Sequence, residues 1–79
     1  MELHVVVTTQ SDGESEVFCD VVQITDDEGR ATLVTKALRN LSDGIEDAKK
    51  ELKGLGIDAD NLVPYENAAY FKRELNGRF

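Results

Sequence analysis

Ala31-Thr32-Leu33-Val34-Thr35-Lys36-Ala37-Leu38, separated by three residues from Ser42-Asp43-Gly44, is the stretch whose reading decides the fold. Thr32, Val34 and Thr35 are β-branched and follow a short acidic turn, Asp26-Asp27-Glu28-Gly29, which suits a strand. Val34, Leu38, Leu41, Ile45, Ala48, Leu52 and Leu55 nevertheless alternate spacings of four and three, the signature of an apolar helical stripe. One helix along that stripe would have to pass through Ser42-Asp43-Gly44, three residues that favour a cap or a break. Asp43 with Glu46 three residues on resembles a capping box. The segment therefore reads as a strand over 31–38 and a helix over 43–55, the helix burying Ile45, Ala48, Leu52 and Leu55 and ending at a left-handed Gly56.

On the N-terminal side, Leu3–Gln10 and Glu16–Thr25 are rich in β-branched residues, and Ser11-Asp12-Gly13-Glu14-Ser15 between them is a turn, so the first 25 residues form a β-hairpin. A five-residue loop places Leu3, Val5, Val7, Val17, Cys19 and Val21 on one face, which carries no acid and is expected to be the core face. His4, Val6, Thr8, Phe18, Asp20, Val22 and Ile24 then form the other. A two-residue loop would mix the faces. Both faces hold apolar residues, so one of them needs helices on its second side or a partner. On the C-terminal side, Pro64 suits the first turn of a helix running to Leu75, with Ala68, Phe71 and Leu75 inward and Gly77 closing it. The expectation is one small α+β domain over residues 1–79: a three-stranded antiparallel sheet (hairpin plus third strand) with one packed helix and a short C-terminal helix.

The chain has 79 residues, 16 acids and nine bases, a net charge of −7. Eight of the acids (Glu2, Asp12, Glu14, Glu16, Asp20, Asp26, Asp27 and Glu28) lie in the first 29 residues, which hold no Lys or Arg. Such a charge balance argues against a general binder of nucleic-acid backbones or of anionic lipid. No basic, apolar leader is visible at the N-terminus, and a lone cysteine cannot form an internal disulfide; both suit a cytoplasmic protein.

The residues offer little chemistry. His4 reads as a surface or edge residue, Cys19 as a small core residue, and in the preferred register the two point to opposite faces, so they form no dyad. Asp58-x-Asp60 opens like a calcium loop, but Leu62, Val63 and Ala69 stand where ligands and the sharp-turn glycine belong. Gly54-Leu55-Gly56 follows a helix and is a cap rather than a phosphate loop. No enzyme, metal or cofactor site is expected.

What is left is interaction. The favoured expectation is a small acidic inhibitor or modulator of a basic, nucleic-acid-handling protein, of the kind phages and mobile elements use, with Asp12, Glu14, Glu16, Asp26, Asp27 and Glu28 standing in for phosphates. The alternative is a structural or self-associating module that forms a homodimer, or docks, through the spare apolar sheet face formed by Val6, Phe18, Val22 and Ile24.

Overall fold

The computed structural model describes residues 2–11 and 17–74. It is α+β, with two long strands, β1 (Glu2–Ser11) and β2 (Val17–Thr25), then helices α1 (Glu28–Ser42) and α2 (Asp47–Gly54), one 3-10 turn at Ala59–Asn61, and strand β3 (Asn67–Glu74). All pairing is antiparallel, and the strand order β2-β1-β3 puts the first strand in the middle. The hairpin is as expected, although most of its turn, including Asp12, Glu14 and Glu16, lies outside the described residues. So do Leu75 and Gly77.

Two expected elements change identity. Residues 31–38 are not a strand but the middle of α1, and the third strand is 67–74, within the segment read as a C-terminal helix. The acidic turn before residue 31 is in fact a helix start. Asp27 is extended at the N-cap, its carboxylate accepts from the Arg30 N–H at 3.2 Å, and Glu28 follows in the first turn, where the helix dipole favours a negative charge. Three β-branched residues cost a helix only about 1–1.5 kcal/mol together. A cap of about 1 kcal/mol and the burial of Ala31, Val34, Ala37 and Leu38 outweigh that. Thr32 also satisfies its hydroxyl within the helix, donating to the Glu28 carbonyl at 3.0 Å.

The break at Ser42-Asp43-Gly44 is real: Gly44 has φ 91° and the chain reverses there. Asp43 caps the end of α1 rather than the start of α2, whose N-cap, Glu46, makes no side-chain cap bond. Ala48 and Leu52 are buried as anticipated, whereas Ile45 falls in the connection and is exposed. Gly56 adopts the expected left-handed conformation, φ 83°. It turns the Leu55 carbonyl toward Arg30 and Gln23, which both donate to it, while Arg30 Nε also donates to Gln23 Oε1 at 3.2 Å. That cluster ties α2's end to α1 and β2.

Pro64 lies in a connection without regular structure, consistent with the bias against α conformation in the residue before a proline. From Ala68 the chain alternates, with Ala68, Tyr70 and Lys72 on the helix side and Ala69, Phe71 and Arg73 on the other. Pairing with β1 and two aromatic residues favour the strand. The side chains of α1 lock it in place: Arg39 Nε donates to the Ala68 carbonyl at 2.8 Å and Ser42 Oγ to the Glu66 carbonyl at 3.0 Å. Tyr65 donates to the Leu38 carbonyl at 2.6 Å.

The core lies between the sheet and α1, formed by Val6, Ala31, Val34, Ala37, Leu38, Leu52, Ile57 and Ala68. α1 touches all three strands, while α2 packs on α1. The molecule is a slab of 39 × 34 × 17 Å, thin enough for one sheet and one helix layer. Among the described residues, one sheet face is therefore covered and the other is not.

Candidate functional site

The covered face is the opposite of the one expected. His4, Val6 and Thr8 point to the helices and are buried, and Val22 packs on the core. Leu3, Val5, Val7 and Val21, read above as core, are on the other side, where Val7 on the central strand is nevertheless buried and Val21 is exposed. Absence of acid was a poor guide because Asp20, on the helix side of β2, stays exposed at the rim of the helix layer.

The hairpin register supplies a second difference. Ser11 pairs with Val17 and Val7 with Val21, but Val6 pairs with Gln23, so β2 holds one extra residue. This bulge shifts the phase of β2 and brings Ile24 to the same side as Val5. Two apolar rows result across the three strands: Ile24–Val5–Phe71 and Val21–Val7–Ala69. Val21 is 61% exposed, Ile24 57% and Phe71 44%. Arg73 stands next to the rows with its guanidinium 5.7 Å from the Phe71 ring centre, a cation–π distance. The alternation of β1 displayed this apolar set in the sequence; the bulge and the third strand that complete it did not show there.

Of the six acids expected to meet a partner, Asp26, Asp27 and Glu28 come together at the α1 N-terminus, and the other three lie outside the described residues. Two of the three have work inside the fold. Asp27 caps α1, and Glu28 forms an ion pair with Lys72 at 3.1 Å. The hydrogen bond to Glu28, then the charges of Glu28 and Glu2, hold the Lys72 ammonium above its ordinary pKa. Asp26 is exposed.

His4 is not a surface residue. It sits on the central strand beneath the start of α1, 3% exposed, with Nε2 4.0 Å from the Glu28 carboxylate and its ring edge-on to Tyr70. Nδ1 has no hydrogen-bond partner among the described residues. Cys19 is exposed rather than buried, and its pairing with Thr9 puts it on the uncovered face, far along the strand from His4 and on the other side. The two cannot act together. Among the described residues no group of three His, Cys, Asp or Glu could hold a metal ion, and no described helix is long and apolar enough to cross a membrane.

No protein-family model matches the chain, and comparison with curated proteins and with solved structures gives no significant similarity.

Proposed function

We propose that this chain is a non-enzymatic interaction module that docks through the uncovered face of its sheet. The observation that carries this reading is the pair of apolar rows, with Val21, Ile24, Ala69 and Phe71 exposed, on a three-stranded sheet of which, among the described residues, only the other face has helices. Isolated exposed apolar residues are ordinary on a globular domain, whereas a contiguous set on one sheet face marks a contact surface. Replacing Ile24 and Phe71 together by Thr keeps β propensity and removes apolar area. Immobilised wild-type chain should retain a partner from native extract that the double variant, equally well folded by circular dichroism, releases. Equal retention by the two would refute the reading.

A second reading is a cytoplasmic acidic modulator of a basic, nucleic-acid-handling protein, favoured by the concentration of eight acids in the first 29 residues. Asp26 beside the α1 N-terminus and the acids Asp12, Glu14 and Glu16 are its contact residues, with Asp27 and Glu28 contributing charge while serving the helix. Binding of this kind weakens as salt rises. Neutralising Asp12, Glu14 and Asp26 to Asn, Gln and Asn should lower the affinity of a captured basic partner several-fold at low salt; unchanged affinity would sink it.

A further inference from the structure

We infer that the occupant of the uncovered face is a second copy of this chain, packed face to face about a two-fold axis; this rests on the reading of that face as a docking surface. Charge argues for it first. The chain carries 16 acids, yet none of the described residues pointing from the uncovered face is acidic, and Arg73 is its one charged side chain. The strand acids Glu2, Asp20 and Glu74 all fall on the helix side. Among the described residues of this face a basic partner would find no acid, and a nucleic acid would find a single Arg. Two molecules of charge −7 repel most where acids face each other, so an acid-free face is where they can meet.

Geometry argues second. A two-fold contact is self-complementary, each patch meeting its own image. The rows Ile24–Val5–Phe71 and Val21–Val7–Ala69 run straight across the sheet, so two such faces can stack row against row about 10 Å apart, as in a β-sandwich. Two slabs 17 Å thick would then make a four-layer α–β–β–α assembly. Three strands of about eight residues cover a flat area of about 400 Å². That is about half of the ~800 Å² each partner contributes to a stable interface, so the dimer belongs to the weak, transient class.

Salt separates this dimer from charge-driven docking by sign. Screening removes repulsion between like-charged copies, so self-association tightens as salt rises. Sedimentation equilibrium from about 10 μM to about 1 mM, at low and high NaCl, should show the mass climbing from 8.8 kDa toward twice that value, with association about threefold or more tighter at high salt. Val21→Glu places an acid in the contact at an exposed edge-strand position and should weaken association by tenfold or more, whereas Val21→Ile, which keeps the row apolar, should leave it within about twofold. A monomer at the highest concentration in high salt overturns the inference. So does a dimer indifferent to Val21→Glu, which would place the contact at a sheet edge. In the monomer case an apolar fluorescent dye tells what else falls. Dye binding by wild type but not by Val21→Glu leaves the docking surface standing for a different occupant, and no binding by either removes both.

Discussion

Val5 and Val6 are neighbours on the central strand, and the structure sends them to opposite sides. Val6 is fully buried against Ala31, Val34 and Leu38, whereas Val5 is half-buried on the uncovered face. Val→Thr tests that assignment cleanly, because the two side chains are nearly the same shape and both favour strands. At position 6 the new hydroxyl enters an apolar layer whose strand carbonyls already serve the two ladders, which costs about 2 kcal/mol. At position 5 water still reaches the hydroxyl and the cost is about 0.5 kcal/mol or less. A domain of this size is stable by about 4–12 kcal/mol, so both variants fold. With a urea slope of about 1 kcal/mol/M, the midpoint should fall by about 2 M for Val6→Thr and by about 0.5 M or less for Val5→Thr. The face pattern expected from sequence gives the reverse order. Equal shifts, or a larger one at Val5, would refute the placement of the helix layer and the docking surface with it.

Other consequences are open to measurement. Asp27→Ala should destabilise the fold by about 1 kcal/mol in urea melts, while Asp27→Asn, which still caps, should cost only a few tenths; equal losses would mean charge rather than capping matters. Gly54 and Gly56 should respond to Ala with opposite signs. At Gly54 an added methyl meets open space at a helix end, gaining about 0.5 kcal/mol, whereas at Gly56 the positive φ makes Ala cost about 1–2 kcal/mol. Burial raises the Tyr65 pKa, and the Glu28 partner raises that of Lys72. Each group thus holds its proton more tightly folded than unfolded, so its contribution is complete below the unfolded value and is lost as pH climbs through the folded one. Stability should fall above about pH 10. In a Tyr70→Phe background, phenolate absorbance of the folded chain should rise at higher pH than in denaturant; coincident curves would contradict the burial of Tyr65.

Local signals in the sequence located punctuation better than element type. The hairpin, the interruption at Ser42-Asp43-Gly44 and the left-handed Gly56 all depend on nearest-neighbour chemistry, and all are present. The identity of 31–38 and of 67–74 depends on partners far along the chain. Val34 and Leu38 need the sheet to bury them, and β3 exists through pairing with residues more than 50 positions earlier. Without those partners, a few β-branched residues and one proline pointed the wrong way. The face assignment failed for a related reason. Which side of β1 is covered is decided by where α1 crosses, and the extra residue in β2 moves Ile24 between faces, neither of which periodicity reports. For the candidate site, the acids were legible as charge, but their cap and ion-pair duties at Asp27 and Glu28 required the helix start to be known.

The strand order also governs when the molecule can become itself. β1, the first strand synthesised, is the middle of the sheet, and β3, its second neighbour, comes last. A nascent chain can form the hairpin and α1 early, yet the far edge of β1 stays unpaired until residues 67–74 have left the ribosome. At that stage it displays open backbone donors and acceptors beside an apolar strand, a template for a neighbouring nascent chain. Completion therefore waits for β3, and it rests on a contact of long sequence separation, which slows folding relative to a helical domain of the same size. A ribosome stalled with β3 still in its exit tunnel would hold the protein in its most aggregation-prone form.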